Sequence, residues 1–246
     1  MSLKGHYSYL TDIGKKRKIN EDYAFAISSA SGEIFLIVCD GMGGHNKGDV
    51  AAKMAVDYLV NAFRMKQKFS SIFSCRIWLQ REIKKINKKI YELSLQDEKY
   101  HNMGTTIVCI IIKESQFVVA HMGDSRAYIL KDGRLNQLTE DQTYVDYLYR
   151  SGKISEEEMK THEKKHILTN ALGIFPTVNL DIKTHKYNKE TILLCSDGLY
   201  NNVSENELYA ILTREEDLLK KCESAINSGN DNGGSDNLAI VIWEAK

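Results

Sequence analysis

The stretch TTIVCIIIKESQFVVAHMGDSRAYIL, Thr105 to Leu130, holds three apolar runs rich in Ile, Val, Tyr and Phe. Runs of this length and composition read as β-strands. The turns beside them, KES (113–115) between the first two and KDGR (131–134) after the third, are too short for a crossover helix, so the strands run antiparallel. Working outward, DYAFAIS (22–28), IFLIVCD (34–40), TILLCSDG (191–198) and NLAIVIW (237–243) read the same way. Two helical stretches interrupt them. GDVAAKMAVDYLVNAFRM (48–65) sets Ala51, Ala55, Leu59 and Phe63 on one face, and WLQREIKKINKKIYEL (78–93) does so with Leu79, Ile83, Ile86, Ile90 and Leu93. Its lysines Lys84, Lys85, Lys88 and Lys89, flanked by Glu82 and Glu92, read as a solvated face. Capping boxes at Ser204/Glu207 and Ser155/Glu158 open two more helices. The pattern predicts an α+β fold, antiparallel sheet with helices on its faces.

The chain has 246 residues, one proline and no repeat or low-complexity linker, so a single domain over 1–246 is expected. A charged, strand-poor segment at about 141–173 reads as a surface flap of the kind that gates a neighbouring site. Lys plus Arg and Asp plus Glu both number 33, which leaves no global positive field for nucleic acid or an anionic membrane. No apolar run is long enough to cross a bilayer, and MSLKGHYSYL is not a secretory leader. Five scattered cysteines without CxxC spacing fit a reduced, cytoplasmic protein.

VCDGMGGHNKGDVAA (38–52) has the glycines of a phosphate loop but not its chemistry. Asp49 and Val50 follow Gly48 where Lys and Ser or Thr are needed, and Asn46 takes the third glycine position of a dinucleotide loop. Asp40 then draws the interest. It ends an apolar strand before a glycine, as Asp197 does; Asp124 ends another strand, and Asp236 precedes one. One Asp-Gly after a strand is most often a turn. Four acids at strand ends, brought to one edge by antiparallel neighbours, would repel each other unless cations neutralise them, and all-oxygen sets suit Mg²⁺ or Mn²⁺. This spacing points to a metal site without naming the reaction.

Six ordered motifs do more. TDIGKKRKINEDYAF (11–25), VCDGMGGHNKGDVA (38–51), MGTTIVCIII (103–112), AHMGDSRAYIL (120–130), LLCSDGLYNNVSENEL (193–208) and GGSDNLAIVIW (233–243) together resemble the PP2C-like (PPM) metal-dependent protein serine/threonine phosphatases in their short bacterial form. The resemblance implies a four-layer sandwich, two antiparallel β-sheets flanked by helices, with two Mn²⁺ or Mg²⁺ ions at one end and a weaker third site. It implies hydrolysis of protein phosphoserine and phosphothreonine by metal-bound hydroxide, reversing serine/threonine kinase signalling. Asp40 matches the aspartate bridging the two metals, Gly41 the residue lending a carbonyl, and Asp197 and Asp236 the other carboxylates of the first metal. Glu21 and Asp22 match the acidic pair supporting the second, with the choice between them open. Asp124 matches a third-site ligand, and Arg17 the arginine that grips the substrate phosphate. The implied partners are phosphoproteins, an autophosphorylating kinase among them, met by a monomer.

Four positions depart from the family pattern. Met42, as in many bacterial relatives, stands where animal-type members often carry a histidine proposed as general acid, so the leaving alkoxide must take its proton from a metal-bound water or another group. Gln142 and Asn170 stand where histidine and arginine are frequent, and His162, the usual flap histidine, is followed by Glu163 rather than proline. A non-catalytic binding module would be expected to lose Asp40, Asp197 or Asp236, and all three are present. A two-metal nuclease uses similar carboxylates, but the neutral charge counts against it.

Overall fold

The computed structural model describes residues 3–43 and 47–246. In chain order it begins with β1 (Gly5–Asp12), β2 (Asp22–Ser28) and β3 (Ile34–Met42), followed by α1 (Gly48–Arg64) and α2 (Ile72–Gln96). Next come β4 (Gly104–Thr105), β5 (Ile107–Lys113), β6 (Gln116–Met122), β7 (Arg126–Lys131) and β8 (Arg134–Gln137). Two short helices, α3 (Tyr144–Arg150) and α4 (Glu156–Thr161), lead to β9 (Asp181–Lys186) and β10 (Thr191–Cys195). The chain closes with α5 (Asp197–Tyr200), α6 (Glu205–Leu212), α7 (Leu218–Asp231) and β11 (Leu238–Ala245).

These strands form two antiparallel sheets, in the orders β1-β11-β10-β7-β8 and β2-β3-β5-β6-β9, with β4 paired to β3. Alternation along each strand explains the layering. On β3, Phe35, Ile37 and Cys39 point to α1 and α2, while Leu36 and Val38 join Val108, Ile110, Ile192, Leu194 and Val241 between the sheets. On β11, Ala239, Val241 and Trp243 face the other sheet, and Leu238, Ile240 and Ile242 face α6 and α7. Strands buried on both faces have no polar side to show, which is why they read as unbroken apolar runs. The result is the expected four-layer α+β sandwich.

The helix readings hold, with extensions. α1 buries Ala51, Ala55, Leu59 and Phe63, and α2 starts earlier than its periodicity suggests, capped by a reciprocal Ser71/Ser74 pair. Lys84, Lys85, Lys88 and Lys89 are solvent-exposed, but Glu82 is not: it is buried, taking hydrogen bonds from Tyr58, Arg81 and Lys85. The box at Ser155/Glu158 closes in both directions. That at Ser204 is half made, because the Glu207 carboxylate turns to the Ser228 hydroxyl. Strands β1, β8 and β9 and helix α7 were not evident from the sequence. All five cysteines are buried and free. No helix among the described residues is long and apolar enough to cross a membrane.

β1 and β11 lie side by side along their whole length, with Gly5 opposite Ala245 at one end and Asp12 opposite Leu238 at the other. The second end is where the acidic residues collect.

Candidate metal centre

Sequence reasoning expected neighbouring strands of one sheet to gather the acids; in fact both sheets contribute. Asp22 and Asp40 sit opposite each other on β2 and β3 of one sheet. Asp197 follows β10 and Asp236 precedes β11, adjacent strands of the other. Asp40 lies within hydrogen-bonding reach of both Asp22 and Asp197, so the cluster bridges the seam of the sandwich. Asp124, in the turn after β6, is buried and feels Asp197. Among the described residues no three His, Cys, Asp or Glu side chains stand as a finished metal-ligand group. The gathering is looser than a coordination shell, and its suitability for a cation rests on the acids themselves.

That suitability is visible in their electrostatics. Burial pushes Asp40 and Asp124 well above the usual carboxylate range, and the charge of Asp22 or Asp197 adds to it. Asp22 is raised to about 8 by burial, opposed by the Ser196 hydroxyl and reinforced by Asp197 and Asp236. Asp197 is raised by burial and Asp236, and Glu21 by burial against the backbone N–H groups of Gly48 and Asp49. Buried Asp22 Oδ1, Glu21 Oε1 and Asp49 Oδ1 have no hydrogen-bond partner. Crowded carboxylates with unsatisfied oxygens cost free energy that an inserted divalent cation would return. The donor set is all oxygen, which fits Mn²⁺ or Mg²⁺.

Side chains outside the acid set hold it in place. The Asp40 carbonyl accepts from the Thr105 hydroxyl at 2.9 Å and from the Thr106 amide at 2.8 Å, while its own N–H donates to Thr106 Oγ1 at 3.0 Å. Ser196 Oγ donates to Asp22 Oδ2 at 2.5 Å and accepts from the Ala239 amide at 2.9 Å. Asn237 pins the loop before β2: Oδ1 accepts from the Glu21 amide at 2.9 Å, and Nδ2 donates to the carbonyls of Ile13 at 2.8 Å and Ile19 at 3.0 Å. These residues lie inside the motifs quoted above, yet their role was missed.

Gly41 is glycine for a packing reason. A Cβ there would stand 2.2 Å from the Gly48 carbonyl oxygen and 2.8 Å from that of Glu21, so β3, α1 and the loop before β2 meet backbone to backbone. Arg17 reaches the same end of the sandwich, its Nη2 at 2.7 Å from Asp236 Oδ2, with half its side chain exposed. Burial alone would lower the Arg17 pKa, but Asp236, Glu21 and Asp40 raise it.

The family departures have neighbours too. Asn170 Nδ2 donates to Gln142 Oε1 at 2.7 Å, and Gln142 Oε1 also accepts from the Gly123 amide at 3.1 Å, beside Asp124. Met42 ends β3, half-buried. His162 packs edge-on to Tyr144 with ring centroids 6.2 Å apart; the histidine that acts on Asp197 is instead His166, which no sequence argument singled out. His45 lies outside the described residues. Arg126, next but one after Asp124, grips Asp141 through two nitrogens, the shorter contact 2.6 Å, and covers the Tyr200 ring at 3.6 Å. It ties the start of the 141–173 segment to β7.

A family model described as protein phosphatase 2C matches residues 14–239. The chain is 39% identical over 240 residues to the serine/threonine phosphatase stp of Listeria welshimeri, covering 97% of this chain and 95% of that protein. Among solved structures, the serine/threonine phosphatase of S. agalactiae superposes with a TM-score of 0.93 at 34% identity, covering 98% of this chain and all of that one. The catalytic domain of the protein phosphatase PstP, in complex with two manganese ions, superposes at 0.86 with 28% identity and 99% of each chain covered.

Proposed function

The chain belongs to the protein phosphatase 2C family and is a protein serine/threonine phosphatase, and we propose that it works at the seam between its two sheets with two Mn²⁺ or Mg²⁺ ions. Asp40 would bridge them, Asp197 and Asp236 would complete one site, and Gly41 would lend its carbonyl. Glu21 and Asp22, each keeping one oxygen free, would support the other site, and Asp124 a weaker third. The observation that carries this reading is the meeting of Asp22 and Asp40 from one sheet with Asp197 and Asp236 from the other, beside oxygens of Asp22 and Glu21 left unpartnered. When bound, the ions would lower the pKa of water and screen the phosphate dianion.

The remaining steps belong to the chain's own side chains. Arg17 presents a planar, permanently charged fork that can take two phosphate oxygens while Asp236 orients it. Thr105 and Thr106 fix Asp40, Ser196 turns Asp22, and Asn237 holds the loop that carries Arg17 and Glu21. Met42 has no proton to give, so the leaving alkoxide is protonated from water or another group in the open cleft.

In this reading the protein is one phosphatase domain with a flap at 141–173, acting as a cytoplasmic monomer. Its substrates are phosphoproteins, an autophosphorylating serine/threonine kinase among them, and it reverses kinase signalling. The free, buried cysteines suit a reducing compartment.

The test is phosphate release from a phosphothreonine peptide with Mn²⁺, with EDTA, and by the Asp197→Ala variant. Release with Mn²⁺ that EDTA and the variant both abolish is expected. Release that survives EDTA would remove the metal from the mechanism, and no release by the folded protein at any Mn²⁺ concentration would end the catalytic reading.

A further inference from the structure

Beside Asp197 and Asp236 opens a cleft of about 600 Å³. One wall carries the acids described above. The other comes from the 141–173 segment and carries basic side chains: Lys160 at the end of α4, then Lys165 and His166 in the turn that follows, all three exposed. The remaining acids of that wall are already engaged, Asp141 by Arg126 and Asp146 by the Thr143 hydroxyl.

The three side chains are not held in the same way. The Lys165 ammonium meets only the Lys160 carbonyl, at 3.4 Å, and forms no ion pair among the described residues. Lys160 shares an exposed pair with Glu156 at 3.0 Å, and such a pair is worth so little that exchanging partners is cheap. His166 reaches electrostatically across the cleft to Asp197. Of the other cations nearby, Arg126 is committed to Asp141, and Arg17, oriented by Asp236, is the one assigned to the phosphate itself.

Resting on the phosphatase reading, we propose that Lys160, Lys165 and His166 form a subsite for acidic side chains flanking the phosphorylated residue. The enzyme is then selective for phosphopeptides of acidic sequence. A substrate whose phosphate sits by Arg17 and Asp236 must lay its neighbouring residues along this cleft. Acidic neighbours meet uncommitted ammonium groups there, and basic neighbours are repelled.

The experiment compares phosphothreonine peptides identical except for Glu, Ala or Lys on either side of the phosphoresidue. The expected order in kcat/KM is Glu above Ala above Lys, about 2- to 5-fold per charge, shrinking as salt is raised. Lys165→Glu should reverse the order, which loss of flap structure alone would not do. Equal rates for the three peptides, or an unchanged order in Lys165→Glu, would overturn the subsite while leaving the phosphatase intact. Failure to cleave any of them would instead remove the activity on which the subsite depends.

Discussion

Asn237 joins groups more than two hundred positions apart, and that separation explains why it was invisible while Asp236 beside it was not. The acids announce themselves locally, as a carboxylate at the end of an apolar run beside a glycine or before one. Thr106, Ser196 and Asn237 earn their place through partners supplied by the fold, and nothing within a few residues marks them. Similarly, a histidine in the charged segment could be aligned to a motif, but only the turn after α4 shows that His166 is the one facing Asp197. Away from the site, Glu33 is a buried carboxylate of the opposite kind. Burial would raise its pKa, but the hydroxyls of Ser29 and Ser31 and the Lys113 ammonium, 3.0 Å away, bring it down to about 2. Because the folded value lies below the unfolded one, the stabilisation is complete above the ordinary Glu range and fades as pH falls toward 2. Urea unfolding should therefore show wild type more stable than Glu33→Gln at pH 6, with the gap narrowing below pH 4.5; a constant gap would assign Glu33 no such linkage.

Whole elements were legible where burial on both faces left one kind of residue. β3, β5, β6, β10 and β11 qualify, and so does α1 with its small-residue stripe. β9, DIKTHK, is an edge strand whose exposed positions are Thr184 and Lys186 and whose other residues are only half-buried, so its composition speaks for solvent rather than sheet. α7, LLKKCESAINSGND, hides behind Gly229, which sequence logic treats as a breaker. A Cβ there would stand 2.4 Å from a methyl of Leu238, so the glycine lets the helix settle onto β11. The junction of β3 and α1 makes the same demand more strictly. A Cβ on Gly48 would lie 2.4 Å from the Gly41 carbonyl carbon, backbone that cannot swing aside. Gly48→Ala should lose about 1–3 kcal/mol, roughly 2–12 °C in Tm. It should also weaken Mn²⁺ binding, because Gly41 and Glu21 shift with the joint. Calorimetry of wild type and variant, each with and without Mn²⁺, checks both; an unchanged Tm would mean the joint is slack.

At the scale of the molecule, the like charges that make the site are a burden on the fold that carries them. Asp22, Asp124 and Asp197 press on Asp40, and Asp197 presses in turn on Asp22 and Asp124, across the two sheets. A cation that bound only the folded chain would relieve them, and at a hundredfold excess over Kd it would raise Tm by about 5–10 °C. Asp197→Asn should lose most of that rise and yet melt no lower than wild type in EDTA, since it removes one of the repelling charges. A variant that melts lower in EDTA but keeps the full Mn²⁺ response would show that Asp197 serves the fold and not the metal. The sandwich itself was readable because short turns forbid parallel strands, whereas the meeting of two sheets at one acidic seam depends on which sheet each strand joins, and no local pattern encodes that.

The pairing of β1 with β11 has a practical side. Eight residues of strand, about 25 Å, separate the end where Gly5 faces Ala245 from the end where Asp12 faces Leu238 and the carboxylates begin. Cargo attached beside Gly5 or Ala245, whether a fluorophore, a resin or another folded module, would hang from the opposite end of these strands and leave the acidic end open. Because Gly5 and Ala245 are neighbours, the two strands could be linked at that end and the chain opened in an exposed turn such as 131–134 without crossing the seam.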